Sequence, residues 1–170
     1  MTKVFVMVGV QGSGKSTVAR YLAQAENAKI INSDDIRKQL AREGEIGMTY
    51  EPSENEIVFR NFFDQARALA SAGENIILDA THINERYRKP IFENLAGVDC
   101  KIITCVMQTD KEECWRRIRN REKVDPEAVQ IPVYLLDRCI KYFTVPTKAE
   151  GFDEIRVFDI DEQSRAFRAS

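Results

Sequence analysis

The sequence predicts an α/β fold, a doubly wound parallel five-stranded sheet flanked by helices, and three observations carry that prediction. Short apolar runs rich in β-branched residues recur along the chain, helical periodicity fills the stretches between them, and the first run closes on a glycine-rich turn that opens a helix. Parallel strands need long crossovers, and helices are the usual way to make them.

Taken in order, residues 4–8 (Val-Phe-Val-Met-Val) are apolar at every position, as a strand covered on both faces must be. A helical pattern follows at Val18, Ala19 and Leu22. Residues 29–31 make the second run, and a helix through Ile36 and Leu40 comes after it. Ser53 with Glu56 fits a capping box, in which side chains satisfy a helix's first free amides. Phe59, Phe62, Phe63, Ala66 and Ala70 then recur at helical spacing and lay one apolar face on the sheet before Gly73 ends the helix. Residues 76–78, 102–107 and 155–158 supply the remaining strands, and Thr109 with Glu112 fits a second capping box. Residues 43–52, with Gly44 and Gly47, and the polar residues 122–130, interrupted by Pro126, read as segments able to move. With neither internal repeat nor linker, the 170 residues read as one domain, 1–170, carrying a small helical lid at roughly residues 117–132.

Composition excludes several classes. Basic residues number 25 against 27 acidic, a formal charge of −2, so any polyanion must meet a local patch rather than a global positive field. Cys100, Cys105, Cys114 and Cys139 lack C-x-x-C spacing and fall in apolar or helical segments, which reads as buried reduced thiols. No apolar run reaches the roughly 20 residues of a membrane helix. Met1-Thr2-Lys3 leads directly into a strand rather than a signal peptide, so a cytoplasmic location with no membrane partner is expected.

The first functional signal is Gly9-Val10-Gln11-Gly12-Ser13-Gly14-Lys15-Ser16-Thr17, which fits G-x-x-x-x-G-K-[ST] between a strand and a helix. Glycines let successive amides curl inward on phosphate oxygens, and the helix that follows presents its positive end to the same anion. The fold class is therefore that of a P-loop NTPase. Gly9, Gly12, Ser13, Gly14, Lys15, Ser16 and Thr17 are the expected nucleotide contacts, with Lys15 on the β and γ phosphates and the Ser16 hydroxyl on magnesium. No Asn-Lys-x-Asp guanine-reading sequence occurs, which favours ATP over GTP.

Asn32-Ser33-Asp34-Asp35-Ile36-Arg37 follows the second strand, at the strand end where open α/β sheets bind ligands. Asp34 is placed to orient an attacking hydroxyl and take its proton, and Arg37 to hold an acidic acceptor; helix capping by Asn32, Ser33 or Asp34 is the competing reading. Asp79, closing the apolar run at residues 76–78, resembles a Walker B carboxylate for a magnesium-bound water, against a helix-capping alternative. His82, the single histidine, stays outside the catalytic set. After the fourth strand, Arg117 and Arg121 stand four apart on one helical face, suited to closing on ATP phosphates, while Arg116 and Arg119 are read as solvated.

These residues together resemble the polynucleotide 5′-hydroxyl kinases, over nearly the whole chain. The resemblance matches Ser33-Asp34-Asp35-Ile36-Arg37 to a segment whose first aspartate is the general base and whose arginine engages the acceptor strand's phosphate. It matches Asp79-Ala80-Thr81-His82 to an aspartate-threonine-asparagine stretch, with histidine where asparagine is usual, and Arg117 and Arg121 to two lid arginines facing ATP. Ile131-Pro132-Val133 and Pro146-Thr147-Lys148-Ala149-Glu150-Gly151-Phe152 are similar to segments leading from the lid to the last strand. What it implies is transfer of the γ-phosphoryl group of ATP, with magnesium, to a nucleic-acid 5′-hydroxyl by Lys15, Asp34, Arg37, Arg117 and Arg121. A kinase of a small metabolite, nucleoside or antibiotic would share the same donor site, and an ATP-gated regulatory binding protein would share the loop alone. The choice between DNA and RNA and the oligomeric state are not legible in the sequence.

Overall fold

The computed structural model describes residues 1–128 and 130–170. Five strands, β1 (Thr2–Val8), β2 (Ala28–Asn32), β3 (Asn75–Asp79), β4 (Cys100–Met107) and β5 (Glu154–Phe158), form one sheet in the order β2-β3-β1-β4-β5. Every pairing is parallel, with Val4 beside Ile76 on one flank of β1 and beside Ile102 on the other. β1 is central, which is why all five residues of its apolar run are buried.

Helices cover both faces. α1 (Lys15–Ala25) and α7 (Ile160–Ala169) pack on one, where Phe5, Met7, Ile77, Ile103 and Cys105 meet Val18, Leu22 and Ala166. On the other lie α2 (Ser33–Arg42), α3 (Pro52–Ser71) and α4 (Glu85–Asn94), over Val4, Val6, Val8, Ile76 and Leu78. Phe62, Phe63, Ala66 and Ala70 of α3 are buried there, as their spacing predicts. A third cluster joins Val10 and Ile83 to Cys114 and Ile118 of α5 (Lys111–Val124) and to Leu136 and Cys139 of α6 (Val133–Lys141). Cys105, Cys114 and Cys139 are buried free thiols and Cys100 is half-buried.

Both predicted capping boxes are corrected. α3 begins with Pro52 at its first position and Glu51 as an N-cap without a side-chain bond. Glu54, rather than Ser53 or Glu56, is the working residue: its carboxylate accepts from the amides of Gly47, Thr49 and Tyr50 and ties the preceding loop to the helix. α5 is capped by Asp110, whose carboxylate accepts from the Glu113 amide at 2.8 Å, because Thr109 spends its hydroxyl on the carbonyl of Ser13 at 2.7 Å. Side-chain and backbone reciprocity does occur at Asp159 with Glu162 and at Thr147 with Glu150. The polar residues from 122 begin as helix: α5 runs to Val124. The expected lid, residues 117–132, therefore joins the last turns of α5 to the start of α6, and Val129 within it lies outside the described residues. Among the described residues no helix is long and apolar enough to cross a membrane.

Candidate active site

The carboxyl ends of β1, β2 and β3 converge at the point where strand order reverses, which is where an open α/β sheet forms its crevice. The loop after β1 is held by Gly9 donating its amide to the Thr81 carbonyl at 3.0 Å. Gly12 and Gly14 have φ of +73° and +102°, conformations an L side chain resists. A Cβ on Gly14 would also lie 2.5 Å from Gln163 Oε1 and 3.0 Å from Arg117 Nη1, so the loop is closely walled as well as bent. Gly14 is the N-cap of α1 without a side-chain bond, and no acidic residue follows in the first turn. The free amides at that end are left for an anion. Ser13, 1% exposed, keeps a hydroxyl with no partner among the described residues, as a phosphate site would.

Lys15 Nζ bonds the Val10 carbonyl at 2.8 Å. Burial lowers its pKa, and the carboxylates of Asp79 and Asp34 oppose that shift, so one ammonium faces both predicted acids. Asp79 is 4% exposed and accepts from Ser16 Oγ at 3.2 Å and Asn32 Nδ2 at 2.9 Å. Burial raises its pKa and Lys15 pulls it back. Asp79 therefore turns into the cleft beside the P-loop and caps no helix. Among the described residues no cluster of three His, Cys, Asp or Glu is placed to hold a metal. Magnesium does not require one, since it keeps several waters and takes few protein oxygens, and Ser16 with Asp79 offers that donor set.

The part of the cleft around Asp34 and Arg37 is built by β2, α2 and the start of α3. Asn32 caps α2 by accepting from the Asp35 amide at 2.9 Å, which frees Asp34 from capping and leaves its exposed carboxylate on the cleft wall. Arg37 is 4% exposed, donates to Asn55 Oδ1 at 2.6 Å and lies 4.2 Å under the ring of Tyr50. Its Nε and Nη1 are buried without partners among the described residues. Tyr50 and Asn55 belong to the loop and helix that Glu54 ties together, and Met48 and Tyr50 both have positive φ. Neither Tyr50 nor Asn55 carries a recognisable sequence signal.

Arg117 lines the cleft but is already engaged: Nε bonds Glu113 Oε1 at 2.7 Å and Nη1 bonds Gln163 Oε1 at 2.9 Å. The neighbouring guanidinium of Arg116, together with Arg117, drives the Glu113 carboxyl down to about 2. Arg121 also lines the cleft, close enough to disfavour the charge on Lys15, and forms no ion pair among the described residues. Arg116 borders the cleft while paired to Glu113, and Arg119 stacks 5.0 Å from the Trp115 ring. Gln163, 3% exposed on α7, also donates to Thr109 Oγ1 and the Phe158 carbonyl. It is a site residue that nothing in the local sequence announces.

His82 is buried at φ +45°, with Nδ1 2.9 Å from the Met7 carbonyl. Burial pushes its pKa down to about 4, so the ring is neutral and packs beside Phe62. The His82 carbonyl accepts from Arg88, which is wholly buried and forks onto Glu150 at 2.7 and 2.9 Å. The cleft lined by Lys15, Asp34, Arg37, Asp79, Arg117 and Arg121 has a volume of about 2380 Å³.

The AAA domain family matches residues 4–146 of the chain. An uncharacterised protein of Mycobacterium tuberculosis is 35% identical over 81 residues, which is 43% of this chain and 16% of that one. The chain thus spans about a sixth of the length of the mycobacterial relatives it matches. A solved sugar kinase from Janibacter sp. superposes with a TM-score of 0.70 at 19% identity, covering 99% of this chain and 91% of its own. A chain of an RNA repair complex superposes with a TM-score of 0.68 at 27% identity, covering 83% of this chain and 43% of its own. The fold is that of the P-loop kinases.

Proposed function

The chain belongs to the AAA domain family, and we propose that it is an ATP-dependent kinase acting on the 5′-hydroxyl end of a polynucleotide. The observation that carries the reading is Arg37. A buried guanidinium with two unmatched donors is costly, and an anionic acceptor reaching Nε and Nη1 offsets that cost beside the free carboxylate of Asp34. In a polynucleotide, that anion is the phosphate following the terminal sugar.

In this reading the whole chain, residues 1–170, acts as one domain. Gly9, Gly12, Ser13, Gly14 and Thr17 cradle the triphosphate, and Lys15, Arg117 and Arg121 hold the charge that spreads over the transferring oxygens. Magnesium, when bound by the Ser16 hydroxyl and Asp79, supplies positive charge to the β and γ phosphates. Asp34 takes the proton of the acceptor hydroxyl as its oxygen bonds the γ-phosphorus, and the bond from that phosphorus to the β-bridging oxygen breaks to release ADP. The lid, residues 117–132, carries both arginines over the donor.

A second reading keeps the donor half and replaces the acceptor with a small metabolite, which the likeness to a sugar kinase favours; the carboxylate of a sugar acid would satisfy the same two donors of Arg37. Incubation with labelled ATP and a 5′-hydroxyl oligonucleotide, in parallel with sugar acids, separates the two. Label on the oligonucleotide is the expected result, and label on a sugar acid alone overturns the polynucleotide reading. Asp34→Asn is expected to lower kcat by about 10²- to 10⁴-fold while ATP binding by calorimetry is kept. Product from neither acceptor, with ATP still bound, supports a regulatory binding protein instead.

A further inference from the structure

The cleft has a wall that the proposed chemistry does not use. Tyr134, Arg138 and Tyr142 are spaced four residues apart along α6 and its cap, so they form one row, and all three line the cleft. Arg86, Tyr87 and Pro90 of α4 line it too, and the Asn84 side chain joins the two elements by donating to the Tyr142 carbonyl at 3.3 Å. These tyrosines are not core: Tyr87, Tyr134 and Tyr142 are 53%, 70% and 51% exposed, whereas Leu136 and Cys139 do the packing of α6.

Charge on the wall has one sign. Arg86 and Arg138 are the charged residues that α4 and α6 contribute to the cleft lining, with no carboxylate beside them. Asp137 is drawn away by Lys111 at 2.6 Å. Lys141 adds an ammonium 5.5 Å from the Tyr142 ring. In a chain of formal charge −2, this is a local basic and aromatic patch. Exposed rings interleaved with guanidinium groups are what single-stranded nucleic acid binds, bases stacking on the rings and phosphates meeting the cations.

Resting on the polynucleotide reading above, we propose that Tyr87, Tyr134 and Tyr142, with Arg86 and Arg138, form a stacking wall for the nucleotides that follow the reacting 5′ end of a single strand. Specificity for a chain over a mononucleotide then resides on α4 and α6, elements other than the α2 that carries Asp34 and Arg37.

The test compares kcat/KM for a nucleoside 3′-monophosphate with that for 5′-hydroxyl oligonucleotides of two to eight residues. Wild-type protein is expected to prefer the longer acceptors. Tyr134→Ala and Tyr142→Ala are each expected to cut the ratio of oligonucleotide to mononucleotide kcat/KM roughly 5- to 100-fold, the range that a lost stacked base gives. Tyr134→Phe restores the ratio, because the ring does the stacking. An unchanged ratio in both alanine variants overturns the wall, as does concentration-dependent dimerisation that these substitutions abolish, since the face is then a contact between copies. The kinase reading is tested separately: if no oligonucleotide is phosphorylated, anisotropy of a labelled octamer on the Asp34→Asn protein still reads the wall. Tighter binding to wild-type tyrosines than to the alanine variants supports it, and equal binding removes it.

Discussion

The two parts of the cleft, proposed here for donor and for acceptor, are built by opposite means. On the donor side a chain of polar groups is braced, with the Ser13 hydroxyl and Arg121 left open: Arg117 by Glu113 and Gln163, Gln163 by Thr109, Thr109 by the Ser13 carbonyl, and Asp79 by Ser16 and Asn32. On the acceptor side Arg37 has one side-chain partner and two unmatched donors beneath a tyrosine from a loop with positive φ. A phosphate cradle must be in place before its ligand arrives, because preorganised dipoles stabilise transferring charge without reorganising. An acceptor site gains selectivity when the ligand completes its hydrogen bonds, since a wrong acceptor leaves them unpaired.

Substitution at the braced side is expected to have the larger effect. Gly14→Ala forces an alanine to φ +102° against Gln163 and Arg117, so ATP affinity measured by calorimetry should fall by at least 100-fold. Wild-type affinity in that variant breaks the distinction, because the cradle is then pliable.

A pH-limited effect concerns His82, which lines the cleft. His82 titrates at about 4 in the fold against 6.5 when free, so its neutral form stabilises the protein fully above pH 6.5. That contribution declines as pH falls from 6.5 toward 4 and totals about 3 kcal/mol. Denaturant melts across this range should show a steeper loss for wild-type than for His82→Asn, and parallel curves exclude the histidine as the cause.

The smallest change is expected at the brace itself. Gln163→Leu removes one acceptor from Arg117 and the donor to Thr109 and to the Phe158 carbonyl, and a rise in KM for ATP of about tenfold is expected from the lost brace on Arg117. If Gln163 works through Arg117, the same change made in Arg117→Ala has a markedly weaker effect. Equal effects in both backgrounds sharpen the picture toward simple packing of α7.

Legibility in the sequence divides along a related line. The P-loop could be read because backbone curvature demands glycines at fixed spacing, and the place of Asp34 and Asp79 on the cleft because strand ends in an open sheet point at the crevice. The buried aromatic face of α3 was plain from its period. Gln163 was not, because its partners Arg117 and Thr109 come from a distant part of the chain and glutamine in a helix ordinarily faces water. Arg88 and Glu150 were missed for the same reason, their burial depending on a pairing that no local pattern encodes. The caps of α3 and α5 slipped by a residue or more because Thr109 had a better long-range partner and Glu54 answered to a loop rather than to its own helix.

The position of β1 at the centre of the sheet bears on how the chain acquires this site. Its partners are β3 and β4, with Thr2 pairing to Cys100, so the strand that precedes the P-loop must wait for segments far along the chain. Contacts that close such long loops are slow to form, because entropy is lost before any pairing repays it. Until they form, an almost wholly apolar strand has two open edges, the state in which chains most readily pair with one another. The same centrality that fixes the phosphate loop in the finished protein leaves β1 open to intermolecular pairing until β3 and β4 arrive, so the loop is expected to take its shape only after those strands have joined.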